Sequence, residues 1–397
     1  MNSLDRSYFD VVIVGAGPAG ASCAAFLARA GIRVLLCERA KFPREKICGD
    51  CINPKCWNYF DLLGISDVVA ANAEVVKGVK IASQSGIVLD MPFDFPNPPI
   101  RRRRPTRSLS QVSSPLIAMK RSILDPILVD CAMKVGTAFS DATALESINR
   151  EEGNRGKWNT RFRINAGGDF ISLKCSILVG ADGRNSRVAN LLSRDNRDSS
   201  KDTVADRIGI QFIVERPTDL DSNILMFFYE GGYGGIVGVS AKEANVAMVV
   251  THELARLATI DFAQFILKTI HSNKQARTVM PHLELVGELT SAFPITPRAN
   301  QLQSSSAYLI GDARHTTEPF TGEGVFFAMQ DGFRTARAIS KSFGINIENE
   351  VLHPRNRFWV DNVFSPILQN RAWTEGLLNF GIHHKSLANF VGRRVFG

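Results

Sequence analysis

The sequence predicts an α/β fold with an α+β second part. A parallel-sheet core is assembled from three separated stretches, an antiparallel-sheet domain is set between them, and a helical tail closes the chain. Three observations predict it. Short β-branched or apolar runs that end in glycine and lead into a helical pattern recur at 11–30, 171–192 and 308–342. Between the last two, residues 208–251 hold apolar runs spaced like antiparallel strands. From Asn346 on, Phe358, Trp359, Phe364, Ile367, Leu368, Trp373, Leu377 and Phe380 fall at mixed helical spacing.

Composition sets outer bounds. A chain of 397 residues has room for two or more domains, and 45% hydrophobic with 22% charged residues is ordinary for a globular protein. Residues Val11 to Ala28 carry no charge, but their glycine spacing argues for a nucleotide-type turn and against a membrane span. No charged leader and cleavage site precede them, so no signal peptide is expected. Seven cysteines, an odd number, suggest reduced thiols and a cytoplasmic setting. The net charge of +8 is partly Arg101 to Arg104 with Arg107, a solvated loop or else a surface for anionic lipid heads, a carrier protein or a phosphorylated substrate. No nucleic-acid motif accompanies the charge, so no nucleic-acid partner is expected.

The first stretch carries the strongest signal. Val11 to Val14 reads as a buried parallel strand that ends in Gly15-x-Gly17-x-x-Gly20, with a helix over Ala21 to Ala30. Gly15 makes the tight turn, Gly17 lets backbone approach a pyrophosphate, and Gly20 lets helix and strand pack closely. Pro18 suits the first helical turn, and with Ala19 it lies where open N–H groups face phosphate oxygens. A second strand, Ile32 to Cys37, ends in Glu38, at the distance from Gly20 expected of a carboxylate on a ribose. The ligand so described is a dinucleotide in a Rossmann-like domain.

Next, Ala40 to Trp57 is too rich in glycine, proline and charge for regular structure and reads as a long loop over the ligand. Arg39 and Arg44 at its start count among the ligand-binding candidates. Its cysteines, Cys48-x2-Cys51-x4-Cys56, lack the matching second pair of a zinc site, so no metal is expected, and the surroundings do not suit a thioredoxin-like dithiol. A hairpin over Val75 to Leu89 turns at Gln84-Ser85-Gly86. Met119 to Gly136 reads as a helix with Ile123, Ile127, Leu128, Cys131 and Ala132 as its inner stripe; Arg121 at its start either reaches a phosphate or lies on the surface.

Strands over Phe162 to Phe170 and Ile171 to Val179 lead to Gly180-Ala181-Asp182-Gly183 and a helix over Val188 to Leu192. Runs at Ile208–Val214, Ile224–Tyr229, Gly235–Val239 and Asn245–Thr251 form the antiparallel sheet, with a helix near Ile260 to His271. Tyr308 to Gly311 is the last core strand, running through Asp312 and His315 to Pro319-Phe320-Thr321-Gly322-Glu323-Gly324 and a helix over Val325 to Ser342. Glycines at that helix start leave its N–H groups open to a ligand; His315 reads as a turn residue. The boundaries are 1–75, 106–190 and 292–345 for the core domain, 76–105 and 191–291 for the antiparallel domain, and 346–397 for the tail. The tail either packs on the body or makes peripheral membrane contact, helped by Arg371, Lys385, Arg393 and Arg394.

Gly15–Gly20, Asp182-Gly183 and Gly311-Asp312, in that order, resemble the three signatures of FAD-dependent oxidoreductases with the p-hydroxybenzoate hydroxylase-like fold. The resemblance implies FAD as cofactor. It implies that Glu38 binds the adenosine ribose, Asp182 lies near the pyrophosphate, Asp312 meets the ribityl or ribose end, and Pro319 with Gly322, Glu323 and Gly324 borders the isoalloxazine. Within that group FPREKICGD at 42–50, the Arg121 helix and PFTGEGVFFAMQDG at 319–332 are most similar to the geranylgeranyl reductase family. That family places a Cys-Gly pair beside the flavin, matched by Cys48-Gly49, and continues with glycine where this chain has Asp50 and Cys51. Its Tyr-x-Trp-x-Phe-Pro lipid-channel segment corresponds here to Tyr233-Gly234-Gly235-Ile236-Val237-Gly238, with the tyrosine alone retained. The Trp-x-Trp-x-Ile-Pro segment of flavin halogenases is absent from the sequence.

The implied activity is NAD(P)H-dependent reduction of a carbon–carbon double bond in an apolar or lipid-like substrate, isoprenoid or polyketide. Cys48 is a proton donor or a packing residue, and Tyr233 orients the substrate. Monooxygenation of an aromatic or polyketide substrate and electron transfer to a partner are the alternatives. The expected location is cytoplasmic, with a peripheral membrane contact left open.

Overall fold

The computed structural model describes residues 7–93, 114–151, 154–165, 168–193, 207–256, 262–295, 298–300, 304–348 and 371–384. The arginine cluster at 101–107, the tail residues Phe358, Trp359, Phe364, Ile367 and Leu368, and the tail cations Lys385, Arg393 and Arg394 lie outside them.

β1 (Tyr8–Val14) is fully buried from Val11 on, and α1 (Pro18–Arg29) follows with proline in its first turn. β2 (Val34–Cys37) returns parallel to β1, Val11 opposite Val34. The stretch after β2 is not irregular throughout, as the sequence suggests. It contains β3 (Cys51–Ile52), and its end begins α2 (Cys56–Leu63), which leads to α3 (Ser66–Asn72). The buried Cys56, Trp57, Tyr59 and Phe60 supply the apolar face that makes α2 a core helix despite the glycine and proline before it. β4 (Glu74–Val76) precedes a hairpin of β5 (Gly78–Ala82) and β6 (Val88–Pro92), and β7 (Leu116–Ala118) pairs with both β3 and β4.

α4 (Arg121–Lys134) buries Leu128, Cys131 and Ala132 of the stripe expected, but its inward face is shifted toward Leu124, Asp125 and Val129. Ile123 is instead 37% exposed. The reason is polar: Asp125 must face the arginines of the site. β8 (Ala138–Ser140) extends the sheet beside β2. β9 (Thr143–Glu151), β10 (Asn154–Ile164) and β11 (Asp169–Gly180) form an antiparallel meander. The sequence reading misses β9 and carries β10 past its end. Asn165 and Gly168, both at positive φ, bound the turn there. α5 (Arg187–Ser193) follows β11.

The second sheet adds β12 (Arg207–Glu215), β13 (Asn223–Tyr229), β14 (Gly232–Gly238) and β15 (Glu243–Thr251) to the hairpin of β5 and β6. α6 (His252–Ala255), α7 (Phe262–His271) and α8 (Lys274–Val279) come next, then β16 (Thr290–Ala292) on the outer edge of β12. β17 (Arg298–Ala299) pairs with β19 (His315–Thr316), so His315 is a strand residue. β18 (Ala307–Leu309) closes the first sheet in parallel with β11. α9 (Gly324–Ser342) and α10 (Arg371–His383) complete the described chain.

Two features position the site. First, α1 and α9 touch with almost no side chain between them. A Cβ on Gly332 would lie 2.6 Å from the Ala19 carbonyl oxygen, and one on Gly20 would lie 1.9 Å from that of Gly15. Glycine at both places lets two helices and a strand converge. Second, the sheet of β12 to β15 has unlike faces, as its two-residue period requires. Ile210, Phe212, Val214, Val246, Met248 and Val250 pack with Ile266 and Ile270 of α7. The other face carries Met226, Phe228, Tyr233, Val237 and Val249 in a cluster with Phe320, and along β12 and β15 the alternate positions Gln211 and Asn245. Among the described residues no helix is long and apolar enough to cross a membrane.

Candidate functional site

The glycine turn uses a conformation that glycine adopts without strain. Gly15 has φ +104, and a Cβ on it would lie 2.3 Å from the Ala181 carbonyl oxygen. β1 and β11 therefore meet here with only backbone between them. No side chain caps α1 at Gly17, and Pro18 has no N–H to offer, so the N–H groups of Ala19 and Gly20 in the first turn face outward with their partial positive charge. Opposite stand two guanidinium groups. A Cβ on Gly17 would lie 3.6 Å from Arg121 Nη2 and 3.7 Å from Arg44 Nη2. Asp125, wholly buried, holds both arginines: Arg121 by two hydrogen bonds of 2.7 Å, Arg44 at 3.1 Å. The gap between helix end and arginines is a cradle for a diphosphate.

Glu38 closes the adjacent end. Its carboxylate accepts the Ala16 N–H at 3.0 Å and the Ala40 N–H at 3.1 Å, and Arg44 lies 3.4 Å away. It is thus fixed at the tip of β2, beside the glycine turn. Arg39 is exposed and contributes its charge from the rim. Lys46 is a further cation of the groove. It is exposed at the mouth of the groove; partial desolvation of its ammonium and the nearby Arg121 pull that group below the usual lysine range, while Asp312 opposes them.

The second signature stretch is anchored at Asp182. Asp182 accepts hydrogen bonds from Ser186 Oγ, Arg187 N–H at 2.7 Å and Val188 N–H at 3.1 Å, which caps α5. Gly183, at φ +82, leaves room for Lys46, whose Nζ lies 3.7 Å from the position of a Cβ there. In the third stretch Gly311, at φ +58, gives its N–H to Asp331 at 3.2 Å, and Asp312 follows facing Lys46 and Arg184. Pro319 opens a short turn that ends at Gly322, φ +65, whose Cβ position lies 3.5 Å from that of Cys51. Glu323 is buried and does not cap α9; a Cβ on Gly324 would meet nothing within 4 Å.

The remaining groups lie against the second sheet. Cys48 donates its N–H to Gln211 Oε1 at 2.9 Å, and its carbonyl accepts Asn245 Nδ2 at 2.9 Å. Desolvation and the Asp50 carboxyl push the Cys48 thiol up, so it keeps its proton near neutral pH. Gly49 borders open space. Tyr233 gives its hydroxyl to Glu318, which Arg207 holds at 3.0 Å, all three buried. That phenol is committed to Glu318, and its ring joins Phe228 and Phe320, with centroids 6.2 and 5.3 Å away.

Sequence reasoning missed Asp125, Lys46, Arg207, Glu318 and the two amides. Asp125 stands four residues after Arg121 on a foreseeable helix, a pairing visible beforehand. Gln211 and Asn245 are single polar residues inside apolar strands, a signal of buried polar function. Among the described residues no three His, Cys, Asp or Glu side chains are grouped to hold a metal ion.

Comparison with known proteins bears on the cradle. The family model for an FAD binding domain matches residues 8–344. Menaquinone reductase of Mycolicibacterium smegmatis is 27% identical over 346 residues, 85% of this chain and 77% of that protein. Digeranylgeranylglycerophospholipid reductase of Methanocella arvoryzae is 24% identical over 341 residues, 82% and 76% of the two chains. The structure of a myxobacterial chondrochloren halogenase superposes with a TM-score of 0.73 at 21% identity, covering 85% of this chain and 76% of that one, a likeness of fold.

FAD fits the donors present. A helix end and two guanidinium groups suit its diphosphate, fixed Glu38 suits a ribose diol, and the open faces of Gly49 and Gly324 leave space for a planar ring.

Proposed function

The chain belongs to the FAD-binding-domain family and is an FAD-dependent oxidoreductase; from that premise we propose that it is an NAD(P)H-dependent reductase of carbon–carbon double bonds in an isoprenoid-type lipid. The observation that carries this reading is the apolar wall of Met226, Phe228, Tyr233, Val237, Val249 and Phe320 on the face of the second sheet that also grips the Cys48 loop. The menaquinone reductase and the digeranylgeranylglycerophospholipid reductase among its relatives support the same reading.

Bound FAD would supply the redox chemistry, accepting a hydride from a reduced nicotinamide and giving it to an alkene carbon. The protein supplies the rest. Arg44, Arg121 and the α1 end bind the diphosphate, Glu38 the ribose, and the α9 end favours negative charge beside it. The apolar wall excludes water and presses the alkene against the ring. Tyr233, with its hydroxyl held by Glu318, serves as a fixed part of that wall. Cys48 either gives a proton or packs.

A lipid-like substrate also has to be collected. Trp373, Leu377 and Phe380 of α10 are 64%, 49% and 49% exposed on one helical stripe, a surface suited to peripheral membrane contact.

The test is anaerobic turnover with NADH or NADPH, with geranylgeranyl diphosphate and a polyprenylated menaquinone as probes. Expected is one added H2 and one oxidised nicotinamide for each double bond lost. Product that forms only with oxygen, and carries its isotopic label, would establish a monooxygenase instead. Cys48→Ser separates the two roles of that residue: retained FAD with lost turnover marks a proton donor, full activity a packing group.

A further inference from the structure

One buried acid is left without a task in this scheme. Asp50 is 2% exposed and stands at φ +55, next to Gly49. Its Oδ2 receives Asn245 Nδ2 at 2.8 Å and Gln211 Nε2 at 3.4 Å. Its Oδ1 is buried and has no hydrogen-bond partner among the described residues. The same two amides hold the backbone of Cys48, so carboxyl and Cys48-Gly49 form one rigid unit under the second sheet.

The charges around it are largely spent. Arg121 and Lys120 approach from the start of α4, and the Arg121 backbone N–H also bonds the Asp50 carboxyl; the Arg121 guanidinium is paired with Asp125, and Lys120 with Glu243 at 2.7 Å. Glu45 and Cys48 approach from the same loop. From the second sheet come the neutral Gln211 and Asn245, while Arg207 on the same strand is paired with Glu318. Burial outweighs the arginine and lifts the Asp50 pKa to about 8. A protonated carboxyl has one accepting and one donating oxygen. Oδ2, with two N–H donors, is the acceptor, which leaves the proton on Oδ1.

We propose that Asp50 is the acid of this site, and that its Oδ1–H protonates the alkene carbon that does not receive the hydride. The proposal rests on the reductase reading above. In the step the alkene π bond is lost and two C–H bonds form. One takes the hydride that bound FAD would pass on from the reduced nicotinamide; the other takes the Asp50 proton. The carboxylate left behind regains a proton from solvent before the next turnover. An acid whose pKa lies near the working pH transfers a proton more effectively than the Cys48 thiol, whose pKa burial raises above the usual thiol value.

Asp50→Asn tests this, because asparagine keeps the shape and tolerates positive φ. Infrared difference titration of the holoenzyme without substrate should show a protonated-carboxyl band that fades as pH rises through about 8, and the variant should lack it. In anaerobic stopped-flow the variant's FAD should be reduced by NADPH as in wild type. Its reoxidation by geranylgeranyl diphosphate should fall roughly 100-fold or more and lose its alkaline decline. Absence of the titrating band, or reoxidation of the variant at the wild-type rate and with its pH profile, overturns the assignment. A wild-type enzyme that keeps the band but is reoxidised by neither geranylgeranyl diphosphate nor a polyprenylated menaquinone refutes the reductase reading, and proton delivery to an alkene falls with it.

Discussion

Glu38 does two jobs with one carboxylate. It ties the Ala16 and Ala40 N–H groups, and in the proposed reading it holds the ribose of FAD. Glu38→Ala should therefore weaken FAD binding by about 1–3 kcal/mol, the cost of stranding polar groups; titration of the apoprotein with FAD checks this, and an unchanged affinity would remove Glu38 from the ribose site. Asp50 predicts a pH effect on stability. Its native pKa of about 8 stands above the ordinary 3.8, so the native state holds a proton that the unfolded state has lost. Its contribution is complete below about pH 4 and is lost as pH rises through about 8. The wild-type minus Asp50→Asn difference in urea unfolding free energy should fall across that window, and a flat difference would contradict the raised pKa. At this scale the glycine turn and Glu38 were readable because turn sterics and a fixed spacing are local properties. Gln211 and Asn245 were not, because their meeting depends on strand register. Gln211 pairs with Ala247 and Asn245 with Ile213, which sets the two amides side by side on one face only once β12 and β15 are aligned.

The contact of α1 with α9 sets the geometry of both helix ends in the site. A Cβ on Gly332 would meet Ser22 Oγ at 2.5 Å and the Ala19 oxygen at 2.6 Å, and the second of these is backbone that cannot swing away. Gly332→Ala should cost about 1–3 kcal/mol of stability and loosen FAD, although residue 332 touches no ligand group. Gly376→Ala in α10, where a Cβ meets nothing within 4 Å, should instead stabilise by about 0.5–1 kcal/mol. Urea unfolding of both variants decides, and equal effects would discount the close crossing. If α10 contacts membranes, Trp373→Ser with Phe380→Ser should abolish flotation with anionic phospholipid vesicles while FAD stays bound; undiminished flotation would exclude the stripe. The strand–turn–helix units of the core were legible from period and glycine placement. The meander of β9 to β11 was harder, since polar alternation such as Arg161-Phe162-Arg163 marks a half-exposed strand without saying where it turns.

The two sheets are coupled through the site itself. Cys48 and Asp50 bond to Gln211 and Asn245, Glu318 bonds to Arg207 and Tyr233, and Lys120 pairs with Glu243. Three of these links start from segments that would line bound FAD. The cofactor should thus stabilise more than the sheet that cradles its diphosphate. At a free concentration about 1,000 times Kd, a ligand that binds only the native state adds about 4 kcal/mol. If the links carry that gain across, removal of FAD should lower Tm for the whole chain in one transition. Hydrogen exchange should then lose protection in β12 and β15 as well as in β1 and α1. Asp50→Asn keeps most of the coupling, because an amide still bonds Asn245. Gln211→Leu with Asn245→Leu cuts it, since neither side chain can then hold Cys48 or Asp50. In that double variant FAD should protect the first sheet and leave β12 and β15 at their apoprotein exchange rates. Protection that spreads equally with and without the two amides would show that packing of Phe320 against Phe228 and Tyr233, and not the polar links, joins the sheets.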